Sequence, residues 1–265
     1  MRLKYCYVEL MPRDLAFLHR PRIEFGRPWL DFEESVTGLR VQGPMYLERH
    51  GVMNSGDFGV AAFALLGPPL REGAGAGGPY AGRWGSLAIG ICNGGGYHAI
   101  ERNDNKTVEG RLTVRPLFGP LPGLQLSYHG IVGDGNAVEA PPWTVNQAHI
   151  ALAAKQGSLA GQYFRGEGNS SGDALDGNGA AEARSGYSVF GEARIGSNGW
   201  SAVARHDSFE RGRGDAAVET RTILAGVAKR VDERARFLVD YERTTTGSWS
   251  DPADEAGSFR TEFRF

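Results

Sequence analysis

Ser258–Phe265 reads SFRTEFRF: Phe259, Thr261, Phe263 and Phe265 alternate with Ser258, Arg260, Glu262 and Arg264, and the chain stops on the last aromatic. A two-residue period puts successive side chains on opposite faces of a β-strand. One face is then apolar and the other charged. The division recurs upstream, where Phe237, Val239 and Tyr241 oppose Arg236, Leu238, Asp240 and Glu242, and where Leu112 and Val114 oppose Arg111, Thr113 and Arg115.

Outward from this stretch, period-2 segments set apart by Gly, Pro, Asn and Asp fill the chain, and the i, i+3, i+4 spacing of a helix is almost absent. Thirteen strands are expected: Leu3–Leu10, Leu18–Gly26, Phe58–Leu66, Arg83–Cys92, Thr107–Arg115, Leu124–Ile131, Val145–Gln156, Leu159–Glu167, Arg184–Ile195, Trp200–Ser208, Thr220–Val231, Ala235–Thr244 and Ser258–Phe265. The fold class is all-β, and residues 1–265 form one domain.

Two architectures fit such strands. In a soluble β-sandwich the apolar face is the core and the charged face meets water. In an antiparallel transmembrane β-barrel the apolar face meets lipid and the polar face lines a lumen. The connection lengths favour the barrel. Gly157–Ser158, Gly196–Gly199 and Asp232–Arg234 are tight, whereas Val132–Thr144, Gly168–Ala183, Phe209–Glu219, Thr245–Gly257 and above all Arg27–Asp57 are long and polar, as on the two unlike rims of an outer-membrane barrel. Gly67–Gly82 breaks the rule, being long on the short-turn rim.

Thirteen is odd, and a closed bacterial barrel has an even number of strands. The N-terminus MRLKYCYVELMPRD also has neither the apolar core nor the cleavage site of an export signal. Both observations lead to the expectation of a chain truncated at its N-terminus, with a strand and a signal peptide encoded upstream, and of residence in the bacterial outer membrane. Trp200, Tyr241, Phe263 and Phe265 would then stand at or near the interfacial girdles.

The 29 basic and 31 acidic residues give a formal charge of −2, which supplies no field for nucleic acid. Cys6 and Cys92 form no CxxC, and the six histidines are scattered, so no metal site and no cofactor are indicated. Asp173, Asp176 and Asn178 miss the offsets of a calcium loop. Gly73, Gly75 and Gly78 match a dinucleotide fingerprint in form only, flanked by Pro68, Pro69 and Pro79. Neither a nucleophile elbow nor a zinc-protease motif occurs, and no enzyme activity is expected.

If the charged face lines a lumen, its basic residues are Arg22, Arg111, Arg115, Lys155, Arg194, Arg236, Arg260 and Arg264, answered by Glu24, Glu192, Asp240, Glu242 and Glu262. Fixed charge selects ions where the passage is narrowest. The longest connection, 27–57, is the constriction candidate if it folds inward, and Arg27, Arg40 and Arg49 are its candidate anion contacts, since guanidinium grips oxyanions in a two-pronged fork. The competing reading is that these arginines only pair with Glu48 and its neighbours to hold the loop.

The run LKYCYVEL, RIEFGRPWLDFEE, YLERHGV, SGDFGVAAF and WGSLAIGICNGGG, with the terminal FRTEFRF, resembles the phosphate-selective porin O and P family. The resemblance implies a sixteen-stranded trimeric porin with an inward-folded loop and an anion-conducting lumen, whose partners are small inorganic anions or small hydrophilic solutes and the lipid bilayer. It also marks Phe259, Phe263 and Phe265 as the C-terminal signature read by the barrel-assembly machinery. Here Glu33, Glu34 and Glu48 dilute the loop, and no dense basic ladder is present. Rival expectations are a barrel sheathing a redox or surface partner, an outer-membrane lipid hydrolase, and a soluble β-sandwich binding module.

Overall fold

Alternating side chains and glycine-rich turns produce a meander in which every strand pairs antiparallel with the next one in the chain. The computed structural model describes residues 6–27, 45–70, 81–97, 99–212, 217–231, 235–247 and 253–263. Its strands are β1 (Cys6–Leu10), β2 (Leu18–Arg27), β3 (Gly59–Leu66), β4 (Gly85–Cys92), β5 (Thr107–Val114), β6 (Leu124–Asp134), β7 (Pro142–Ala154), β8 (Gly157–Glu167), β9 (Ala183–Ile195), β10 (Trp200–Arg211), β11 (Val218–Arg230), β12 (Ala235–Thr246) and β13 (Ala253–Phe263). Among the described residues between β2 and β3 lies a four-residue helix, α1 (Tyr46–Arg49). The order in the sheet is β1 through β13 without a crossover, and among the described residues β1 and β13 do not pair.

Several strands outrun the alternation that announced them. β13 starts at Ala253 rather than Ser258, and β7 at Pro142 rather than Val145, because the ladder continues through Thr245↔Ala253 and Asp134↔Pro142. Beyond the apolar band both faces are polar, so pairing persists while the pattern that reveals it disappears. The expected long connections therefore shrink to 135–141, 212–217 and 247–252. On the opposite rim the β7–β8 turn is 155–156.

Burial decides between the two architectures. On β5 the buried residues are Thr107, Glu109, Arg111 and Thr113, with Arg111 only 2% exposed, while Leu112 is 45% exposed. On β12 Arg236, Leu238 and Asp240 are buried, and Val239 and Tyr241 are exposed. A sandwich would require the reverse. Leu87, Ile89, Ile91, Leu112, Val114, Val189, Val227 and Val239 all stand on the exposed face. Leaving each half-exposed to water forfeits about 1 kcal/mol, and together these eight would cancel much of the 5–15 kcal/mol that holds a domain folded. The face suits hydrocarbon, and the soluble-module expectation fails on it.

The polar face is concave. Arg236 on β12 donates to Glu192 on β9, three strands away, and Ser201 on β10 donates to the same carboxylate at 2.7 Å. Three strand spacings are about 14 Å along a flat sheet, beyond the combined reach of the two side chains. The sheet must curl toward this face. Several buried polar groups on it pair with one another: Glu109 and His129 meet at 2.8 Å, His129 and Gln147 at 3.0 Å, and Gln147 donates to Gln162. Ala151, Ala160, Phe190, Val203, Leu224, Ala228 and Leu238 form an apolar patch on the same inner wall.

Candidate functional site

Residues 45–57 lie against the concave face. Tyr46, Leu47, Val52 and Met53 are buried in one cluster with Ile131 of β6, Trp143 and Val145 of β7, Phe164 of β8 and Phe209 of β10. α1 closes through Arg49 N–H to Met45 O at 2.7 Å and His50 N–H to Tyr46 O at 3.3 Å, and the chain then doubles back with Val52 N–H on Leu47 O at 2.9 Å. The Tyr46 hydroxyl donates to Ser208 O at 2.5 Å. Glycine is required opposite it: a Cβ on Gly186 would lie 2.2 Å from the Tyr46 oxygen, and Gly186 has φ +156°. Edge-to-face packing of Tyr46 on Phe164, with ring centroids 5.7 Å apart, completes the anchor.

The segment is also tied to neighbouring loops. Ser170 N–H donates to Val52 O at 3.1 Å, Asn54 reaches Ser170 Oγ at 3.1 Å, and Asn169 Nδ2 reaches Gly51 O at 3.2 Å. Asn136, itself bound to Ser170 O through its N–H, accepts from Arg102 N–H at 2.8 Å and donates to Ile100 O at 2.9 Å. Asp173 and Asp176 belong to this lacework as loop acceptors, from Asn169 Nδ2 and from the Asn178 and Ala180 N–H groups.

Charge fixes the inner edge of the segment. Arg49 forks onto Glu242 of β12, at 2.8 Å from Nη1 to Oε1 and 3.1 Å from Nη2 to Oε2. Its Nε faces Asp207 Oδ2 of β10 at 3.9 Å, and Arg205 Nε donates to the other Asp207 oxygen at 2.8 Å. Arg260 of β13 bridges Asp240 and Glu242, at 3.1 and 3.3 Å. The result is a desolvated ladder of alternating sign across β10, β12 and β13.

Two titratable groups of the segment depart from ordinary behaviour. Burial pulls the His50 imidazole down to about 4; Asp207 opposes the shift, and Arg49, Arg205 and Arg184 add to it. Burial pushes the Asp57 carboxyl up to about 6, although the N–H groups of Phe58, Gly94 and Gly96 favour its ionised form.

Set against the expectations, Arg49 does lie on an inward-folded segment, but it grips Glu242, 193 positions away, rather than Glu48. Glu48 accepts from Ser55 Oγ instead. Arg40, Arg264, Phe265 and the side chains of Arg27 and Phe263 lie outside the described residues. Arg22 is half-buried, 3.7 Å from Glu24 and 4.7 Å above the Phe63 ring. Arg111 and Arg236 are buried on the inner wall, the first donating to Ser86 Oγ at 3.1 Å. Arg115 is 3% exposed and donates to Pro122 O, with no carboxylate partner among the described residues.

Lys155 needs correcting. Lys155 sits exposed in the two-residue β7–β8 turn, and the exposed Arg194 side chain donates to its carbonyl at 2.8 Å. Lys155 belongs to the rim, because β7 ends at Ala154, whereas Arg194 lies within β9 on the side of the buried Glu192, opposite the buried Ser201. Phe259 points outward, 66% exposed and stacked on Phe237 with centroids 5.9 Å apart. Sequence reasoning missed Tyr46, Gly186 and Arg205. The apolar cluster in GPMYLERHGVM, inside an otherwise polar connection, was the available signal for Tyr46.

No protein-family model and no curated protein matches the chain. Among solved structures, the outer-membrane expressed OmpT of Vibrio cholerae superposes with a TM-score of 0.55 at 11% identity, covering 92% of this chain and 77% of that one. The loop L8 deletion mutant of the same outer membrane protein gives 0.54 at 13% identity, over 92% and 76% of the two chains. The likeness is one of fold: this chain has the all-β antiparallel architecture of outer-membrane β-barrels.

Proposed function

We propose that the chain is the wall and constriction of an outer-membrane porin, a passive path for small hydrophilic solutes with a preference for phosphate-like anions, built as a homotrimer in the manner of the phosphate-selective porin O and P family that its sequence resembles. The observation that carries this reading is the inverted sheet. Its charged face is concave and holds a tethered segment, while its convex face offers Leu, Ile and Val to lipid. Such a wall needs no covalent chemistry; it solvates what passes.

The anion preference moves away from the arginine first expected to carry it. Arg49 is neutralised by Glu242 and Asp207 and serves to hold the segment. Arg115, desolvated and without a carboxylate among the described residues, keeps its charge available, and Arg111 lies four residues before it on the same wall. The test is the zero-current reversal potential in a planar bilayer under a KCl gradient. The expected result is a shift toward the chloride potential that shrinks in Arg115→Ala. A stable conductance without that shift overturns the preference, and a folded, heat-modifiable barrel with no conductance overturns the porin reading.

A further inference from the structure

The His50 ring is clamped between two aromatics. It stacks on Phe209 with centroids 4.3 Å apart and planes 1° from parallel, and it meets Tyr46 edge-on at 5.0 Å. Its Nε2 is buried with no hydrogen-bond partner among the described residues. The ring feels the charges of Arg49 on its own segment and of Arg205 and Asp207 on β10. On β9 it faces Arg184, with Glu182 and Asp173 beside that guanidinium. Glu242 of β12 and Arg260 of β13 join through Arg49. β8 contributes Phe164, which has no charge.

A proton on this imidazole would stand among three guanidiniums. The carboxylate whose charge favours that proton, Asp207, is already shared by Arg49 and Arg205. Nε2 would become a donor with no acceptor in a desolvated pocket. The docked state therefore accommodates only the neutral ring, whereas the released segment, in water, accommodates either form.

We propose that His50 is a proton-operated latch: neutral, it holds residues 45–52 on the inner wall, and protonated, it releases them. This deepens the proposed constriction and rests on its inward placement, but the release is read without any conductance. Protonation links to docking through the difference in proton affinity of the two states, which amounts to a loss of docking on the order of 20-fold at pH 5 and 100-fold at pH 4 relative to pH 7.

The experiment is amide hydrogen exchange of the 45–52 segment in the folded protein in detergent micelles, corrected for intrinsic exchange, from pH 7 to pH 4. His50→Phe serves as the stacked ring that cannot be protonated. Asp57, at the far end of the segment, titrates in both proteins and drops out of their ratio. Protection in the wild type, divided by that in His50→Phe, is expected to fall about 100-fold by pH 4. A ratio that stays constant overturns the proposal. Should His50→Phe fail to fold, the imidazole is titrated by NMR in the wild type: a midpoint well below 6 with concurrent loss of segment protection supports the latch, and an ordinary midpoint near 6.5, or titration with protection unchanged, overturns it.

Discussion

Removal of the Arg49 and Glu242 side chains, singly and together, measures how firmly charge holds the segment to the wall. The fork consists of two charge-assisted hydrogen bonds at 2.8 and 3.1 Å. A hydrogen bond to a charged group is worth about 1.5–3 kcal/mol when well buried. Here the two side chains are 14% and 21% exposed, and Arg260 competes for Glu242 at 3.3 Å, so both ends are partly satisfied when the fork is broken. We expect a coupling of about 2 kcal/mol, near the lower end of that range. Arg49→Ala alone should cost more, because Asp207 is fully buried and Arg205 is then its sole remaining ion-pair partner among the described residues.

The assay is hydrogen exchange at the Arg49, His50 and Val52 amides at pH 7, where His50 is neutral. The double variant is expected to open about 30-fold less than the product of the two single-variant effects predicts. Additive single mutants would refute the reasoning, since they would mean that Arg49 and Glu242 meet without holding anything in place.

Asp57 supplies a pH dependence of opposite sign to that of His50. Its folded carboxyl titrates at about 6, above the ordinary value of 3.8, so the folded state holds a proton that the unfolded state has released between those values. Its contribution is greatest below about pH 4 and is lost as pH rises through 6. About two pH units correspond to about 3 kcal/mol, and in Asp57→Asn the decline in protection of the 93–97 loop between pH 4 and 7 should disappear. A decline that persists in the variant would refute this assignment. On the convex face, Val239→Arg should slow or abolish insertion into lipid vesicles, at a cost of about 2–4 kcal/mol near the midplane, whereas Asp240→Asn, pointing inward, should not. Equal effects would place the lipid face wrongly.

Alternation and turn residues, which act between neighbours along the chain, were enough to read thirteen strands, their order and the inversion of polar and apolar faces. Ser258–Phe265 and Leu112–Arg115 carried that information in a few residues because a strand's two faces are decided locally. Strand ends beyond the apolar band were not readable: with both faces polar, a paired residue and a loop residue look alike, and only the partner across the ladder, such as Ala253 for Thr245, distinguishes them. Lys155 was misplaced for the same reason.

The inward fold of the connection before β3 could be anticipated from its length, but its docking could not. Tyr46 needs the missing side chain of Gly186, 140 positions on, and Arg49 needs Glu242, 193 positions on. Alternation records which face a side chain takes. It does not record which side chains the curvature of the sheet brings together, and that curvature, by gathering Arg49, Asp207 and His50 in one place, decided which charges are spent on structure.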